Sequence, residues 1–301
     1  MAGRRVIAGD RSDCHRRLQG YVETVSQIHE PATVDEAVGL LDSLGAESAP
    51  LAGGTWVMRE AAGPAHYVSL RHLRPLRAIE AAAGEVRIGA LATHTEIGAI
   101  EDGIGPLGAL AEAARRSAFP AVRNVATLGG NLAARPFPEA DLIPALLASE
   151  AVLELAGPDG RDRLDVAAYL ADRDRRPPGE LIASVSVPAP AGRRSWFERL
   201  TVRHAAEYSL ASVAISLDVD AEGVITDARV AVGAVEDLPR RVEAAEALLR
   251  RNELRALDAA EAGRVAAGAL RPRDALDAPG WYRRTVLPEL FTRAGARLGA
   301  S

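Results

Sequence analysis

Two short glycine segments carry the residue types from which an anion site can be built, Leu51-Ala52-Gly53-Gly54-Thr55 and Ala126-Thr127-Leu128-Gly129-Gly130-Asn131. Each follows a short apolar or β-branched stretch and closes on a small hydrogen-bonding residue. Paired glycines let main-chain N–H groups wrap a diphosphate without interference from a Cβ. Thr55, Thr127 and Asn131 offer side-chain donors, and Leu128, Gly129 and Gly130 are expected to offer main-chain ones. A Gly-Gly pair alone discriminates little, because glycine makes up 27 of 301 residues and that density supplies about two pairs by chance. The flanking residues must decide.

Several other chemistries are excluded. All 36 basic residues are arginine, so Schiff-base catalysis, pyridoxal phosphate attachment and a Walker lysine are impossible. One cysteine, Cys14, rules out an internal disulfide or a cysteine-ligated iron–sulfur cluster within this chain, and any such cluster must belong to a partner. The six histidines form no His-x-x-x-His pair, and no metal constellation is expected. Gly103-Ile104-Gly105-Pro106-Leu107-Gly108 matches the dinucleotide pattern formally, but Glu101 and Asp102 would repel a pyrophosphate and no clear strand feeds the turn. No Gly-x-Ser-x-Gly elbow occurs, and no side chain is assigned as a catalytic acid, base or nucleophile.

With its flanks included, the chain resembles the flavin-binding medium subunit of the molybdenum hydroxylases, the family of xanthine dehydrogenase and carbon monoxide dehydrogenase. That family has an Ala-Gly-Gly-Thr turn followed by a Thr-x-Gly-Gly-Asn turn, and both stand here in that order. Further matches run from about Tyr21 to Leu298: Pro31-Ala32-Thr33, Ile88-Gly89-Ala90, Arg123-Asn124-Val125, Gly179-Glu180-Leu181 and Trp281-Tyr282-Arg283-Arg284. The resemblance implies non-covalent FAD held by Leu51, Ala52, Gly53, Gly54, Thr55, Trp56, Val57 and Met58 and by Thr127, Leu128, Gly129, Gly130 and Asn131. It places Asp141 on the adenosine side, although an acid there also suits a helix N-terminus. Leu181 or Ile182 would lie below the flavin ring, where core packing explains them nearly as well, and Ser117 is a looser correspondence. Trp56 stands where many relatives have Asp. Some relatives also use a lysine near the flavin, whereas here Glu198 and Arg199 occupy that region.

The same resemblance implies an oxidoreductase subunit that takes electrons from [2Fe-2S] clusters in a small partner subunit. Substrate oxidation would occur at a molybdenum cofactor in a large partner subunit, and the final acceptor would be NAD, a quinone or oxygen. Two alternatives remain open: a stand-alone FAD-dependent oxidase or dehydrogenase, and a non-catalytic scaffold that retains the fold.

The elements that must position these residues can be read in outline. Thr33-Val34-Asp35-Glu36 fits a capping box, and Val34, Ala37, Val38, Leu41 and Leu44 recur at helical spacing until Gly45. Strands are expected at 67–70, 85–90, 152–155 and 181–187, helices at 106–118 and 139–148, and a surface loop at 171–179. Val213, Ile215, Leu217 and Val219 alternate before a turn at 220–223, which predicts a hairpin returning through Val232. From about Leu238 the pattern is mostly helical.

The fold class implied is α+β. An N-terminal extension (1–20) precedes a two-lobed FAD-binding domain of the vanillyl-alcohol oxidase/PCMH type (21–190), its lobes divided near 75–85. A smaller α+β domain of antiparallel strands and helices (191–301) follows. A composition of 48% apolar and 26% charged residues is ordinary for a globular chain, and a formal charge of −5 gives no electrostatic reason to expect nucleic acid. No apolar run approaches the ~20 residues of a membrane span. The first 20 residues carry five arginines without the apolar core of a signal peptide, so a cytoplasmic location is expected.

Overall fold

A computed structural model describes residues 26–59, 63–202, 208–250 and 252–299. The expected N-terminal extension, Cys14 and His204 lie outside them. The first lobe is a small parallel sheet of order β1-β3-β2, formed by β1 (Gln27–His29), β2 (Ser48–Leu51) and β3 (His66–Ser69) and backed by α1 (Val34–Leu44). Thr33 caps α1 by accepting from the Glu36 N–H at 3.1 Å, and the Glu36 carboxylate accepts from Ala32 at 2.8 Å. Gly45, at φ 55°, ends the helix. Ala37, Val38 and Leu41 pack on Val68 and Leu70.

The second lobe is a five-stranded antiparallel sheet of order β4-β5-β8-β6-β7. Its strands are β4 (Ile79–Ala82), β5 (Glu85–Gly89), β6 (Val152–Gly157), β7 (Gly160–Asp165) and β8 (Leu181–Pro188). Between β5 and β6 lie α2 (His94–Gly98), α3 (Gly108–Arg116), α4 (Pro120–Arg123), α5 (Leu128–Ala133) and α6 (Leu142–Ala148), and α7 (Val166–Asp172) follows β7. The helix expected from Glu139 starts three residues later, because Glu139 is held by Arg273 and Asp141 by Arg199 and Ser209. The glycine pattern at 103–108 is closed to a phosphate, since the Asp102 carboxylate accepts from Leu107 at 2.5 Å and Ser195 Oγ accepts from Ala109 at 2.9 Å.

The C-terminal region holds an antiparallel sheet of order β12-β11-β10-β9, comprising β9 (Arg193–Thr201), β10 (Ser209–Val219), β11 (Ile225–Gly233) and β12 (Arg240–Arg241). Its helices are α8 (Glu243–Leu249), α9 (Ala259–Ala269), α10 (Gly280–Thr285) and α11 (Leu287–Gly299). The expected hairpin is present, with Ile215 opposite Val230. Its alternation has a second meaning. Val213, Ile215 and Leu217 pack into the C-terminal core, while Ser212, Ala214 and Ser216 are equally buried on the opposite face. There α6 of the second lobe covers the sheet, so closely that a Cβ on Gly233 would meet the Pro144 ring.

Candidate functional site

A cleft of roughly 1620 Å³ opens where the two lobes and the C-terminal region meet. The two glycine segments form adjoining walls of it, and the main chain makes them touch: Gly53 lies directly on the Val125–Ala126 peptide, where any Cβ would overlap the Val125 carbonyl. Gly54 takes φ 69°, a left-handed conformation that glycine adopts without strain. The N–H groups of Gly53, Gly54, Thr55 and Trp56 donate to no other group among the described residues. Donors that are unengaged among the described residues at the edge of a cleft suit a phosphate-type anion.

The second segment works differently from the expected turn. It is the start of a helix, with Thr127 Oγ1 accepting from Gly130 N–H at 3.1 Å. Leu128 N–H donates to Ala92 (2.9 Å) and Gly129 N–H to Ala90 (2.8 Å), so the main-chain donors expected here are already engaged. Gly129 is needed for packing, since a Cβ there would lie 2.9 Å from that of Ala90. What this wall offers a ligand is side-chain chemistry. Asn131 is 92% buried and its Oδ1 has no partner. A buried amide oxygen left unpaired is unfavourable by about 1–3 kcal/mol.

Fourteen of the expected site residues line the cleft: Ala52, Gly53, Gly54, Thr55, Trp56, Val57, Ser117, Thr127, Gly129, Gly130, Asn131, Asp141, Leu181 and Ile182. Three do not. Leu51 is a strand residue whose carbonyl accepts from Leu70, Leu128 is fully buried in the second-lobe core, and Met58 is exposed, with only its stem against Gly54. Glu198 and Arg199 are also absent from the lining. Glu198 pairs with Arg116 (2.9 Å) and accepts from Trp196 Nε1, while Arg199 pairs with Asp141. Asp141 therefore reaches the cleft with both oxygens already accepting, one from Arg199 and one from Ser209 (2.7 Å). Burial pushes its carboxyl above the ordinary range, against the pull of Arg199 and Ser209.

Trp56 belongs to the cleft wall and not to the core. It stacks on Phe137 with ring centroids 4.3 Å apart, Tyr208 meets Phe137 edge-on at 5.5 Å, and Arg59 lies over the Trp56 ring while donating to the Tyr208 hydroxyl. Residues from three parts of the fold are thus tied together at the mouth.

His94 also lines the cleft, and the sequence reading missed it. Thr93 and Glu96 form a full capping box, with Thr93 N–H donating to Glu96 Oε2 at 2.7 Å, and this fixes His94 as the first residue of α2. Thr-x-x-Glu at 93–96 was the available signal. His94 Nδ1 lies 2.7 Å from Ser117 Oγ, and its Nε2 is buried without a partner. Burial, opposed by the Thr127 main chain and reinforced by Arg123, lowers its pKa to about 4, so the ring is neutral at pH 7. Next to Ser117, Ala118 sits at φ 42°, and Arg123 holds both of their carbonyls at 3.1 and 2.7 Å. A left-handed alanine in a cleft wall is local strain of the kind found at ligand sites.

Sequence comparison matches residues 23–190 to the FAD binding domain in molybdopterin dehydrogenase and residues 197–298 to the CO dehydrogenase flavoprotein C-terminal domain. The chain is 30% identical over 275 residues to the carbon monoxide dehydrogenase medium chain of Afipia carboxidovorans, covering 88% of this chain and 85% of that one. It is 31% identical over 281 residues to the nicotine 6-hydroxylase medium subunit of Paenarthrobacter nicotinovorans, covering 90% and 96%. Its fold superposes on a chain of the crystal structure of the cyanide-inactivated Cu,Mo-CO dehydrogenase with a TM-score of 0.81 at 28% identity, over 91% of this chain and 98% of that one. These matches span both regions in order. The chain belongs to the FAD-binding medium subunits of the molybdopterin dehydrogenases, a family of oxidoreductase flavoproteins.

Proposed function

We propose that this chain is the electron-transfer subunit of a molybdopterin-dependent dehydrogenase complex in the cytoplasm. It would receive electrons from [2Fe-2S] clusters in a small partner subunit, after substrate oxidation at a molybdenum cofactor in a large one. It would pass them to NAD, a quinone or oxygen. The observation that carries the reading is the set of four N–H groups on the cleft-lining residues 53–56 that engage no acceptor among the described residues, beside a cleft of a size suited to a dinucleotide. Relatives named as medium chains or subunits, one of them of a dehydrogenase complex, support the partners. Among the described residues no helix is long and apolar enough to cross a membrane.

The residues present fit FAD. Gly53, Gly54, Thr55 and Trp56 would hold the pyrophosphate through their N–H groups, and Asn131 and His94, which line the cleft and each carry a buried polar atom without a partner, would add polar side chains. Asp141, already engaged, has lone pairs left for ribose hydroxyls. Leu181 and Ile182 give the cleft an apolar side suited to a flavin ring. When bound, FAD supplies an isoalloxazine that accepts and releases electrons, and the chain supplies placement and electrostatics. No side-chain acid, base or nucleophile is needed.

The test compares the isolated FAD-loaded chain with the whole complex under anaerobic conditions. Adding the complex's organic substrate is expected to bleach the flavin absorbance of the complex and leave that of the isolated chain unchanged. Robust oxidation of an organic substrate by the isolated chain would instead establish a stand-alone oxidase.

A further inference from the structure

Five arginines line the cleft, and four of them have a partner or open solvent for their charge. Arg135 pairs with Asp174 at 2.9 Å, Arg176 with Glu180 at 2.6 Å and Arg273 with Glu139, while the exposed Arg59 donates to the Tyr208 hydroxyl. Arg173 differs. It is 7% exposed, and no carboxylate stands within ion-pairing distance of it among the described residues. Its Nη1 donates to the carbonyls of Leu132 (3.0 Å) and Ala134 (3.3 Å), and its buried Nε has no acceptor. Tyr169, also buried, lines the cleft beside it.

A buried guanidinium with no counter-charge in contact is unfavourable, and two main-chain carbonyls together with the Asp174 carboxylate, which acts from beyond ion-pairing distance and is itself paired with Arg135, offset only part of that. The position of Arg173 shows where a counter-charge could come from. Its two carbonyl partners lie at the end of α5, whose first turn, through Thr127, Gly129 and Gly130, forms the second glycine wall of the same cleft. We propose that Arg173 is an anion-pairing residue of the cleft, and that its partner is negative charge on the bound dinucleotide, carried by the pyrophosphate or by the reduced flavin ring. This rests on the reading that the cleft holds FAD. A guanidinium at the end of a helix also acts as a simple C-terminal cap, and the test must separate the two roles.

Arg173→Gln keeps donors for the Leu132 and Ala134 carbonyls but removes the charge, and Arg173→Lys keeps the charge. For the full chain, three quantities are measured: the Kd of oxidised FAD in reconstitution of deflavinated protein, the midpoint potential of the bound flavin, and the Tm of the FAD-free form. Pairing with pyrophosphate is expected to weaken oxidised FAD tenfold or more in Arg173→Gln with the potential unchanged. Pairing with the reduced ring is expected to leave that Kd in place and lower the two-electron potential by about 30 mV or more, the equivalent of tenfold weaker binding of the reduced form. In either case Arg173→Lys recovers most of the effect. If Arg173→Gln lowers only the Tm of the FAD-free form, with Kd and potential as in the unaltered chain, Arg173 is a cap and the proposal is overturned while the FAD site stands. An unaltered chain that takes up no FAD overturns both readings.

Discussion

Gly53 lies so close to the Val125 carbonyl that no side chain fits at position 53 without separating the two glycine walls of the cleft. Gly53→Ala is therefore expected to destabilise the fold by about 1–3 kcal/mol, as overpacking does, and to lower the flavin-to-protein ratio of purified material. Gly39, in the middle of α1 with open space where a Cβ would go, is the contrast. Gly39→Ala is expected to raise stability by about 0.5–1 kcal/mol and leave flavin content unchanged. Denaturant titration and the visible flavin bands check both. Equal behaviour of the two variants would show that the contact between the walls does not matter.

Asn131 lines the cleft, and its Oδ1 is buried without a partner. Asn131→Ala is expected to weaken FAD by about 1–3 kcal/mol, roughly five- to 150-fold. Fluorescence titration of the deflavinated chain measures this, and an unchanged Kd would place Asn131 outside the site.

Leu128 and Met58 flank the glycine segments but do not line the cleft. Leu128→Ala opens a cavity in the second-lobe core and is expected to cost about 2–5 kcal/mol of stability. Met58→Ala, at an exposed position, is expected to leave both stability and FAD affinity within about 0.5 kcal/mol. A large loss of FAD affinity in Met58→Ala would show that Met58 contacts the cofactor.

Burial keeps His94 neutral, with a pKa near 4 against an ordinary 6.5. Between those values the unfolded chain binds a proton that the folded chain does not, so stability rises with pH across that window. The contribution is full above about pH 6.5 and is lost as the pH falls toward 4, amounting to about 3 kcal/mol. His94→Gln is expected to flatten the acid limb of a Tm-against-pH profile over that range. Parallel profiles would show that His94 is not buried in the neutral form.

The parts of the fold that the sequence disclosed were those decided locally. Thr33 and Glu36 satisfy the start of α1 within four residues, and the 220–223 turn closes on its own carboxylate, Asp220 Oδ1 accepting from Val224 at 2.8 Å. What stayed hidden depends on partners distant in sequence. Leu128 and Gly129 look like free donors until β5 ends and brings the Ala90 and Ala92 carbonyls to them. The alternation of β10 reads as one buried face, but α6 covers the other, where serines and alanines give it room. Arg173 sits in a charged, proline-rich stretch expected to be a surface loop, and only the end of α5 shows that its side chain is buried. The aromatic contacts of Trp56 with Phe137 and Tyr208 likewise join three separate stretches of the chain.

The most direct test is to isolate the tagged full-length chain from the cells that produce it, under native conditions, and to determine its bound flavin, metals and partner chains together. The expected result is a hetero-oligomer in which denaturation releases FAD, and in which iron–sulfur clusters and molybdenum belong to the other subunits. A fully functional homo-oligomer without iron or molybdenum partners, or a complex that releases FMN alone or no flavin, would contradict it.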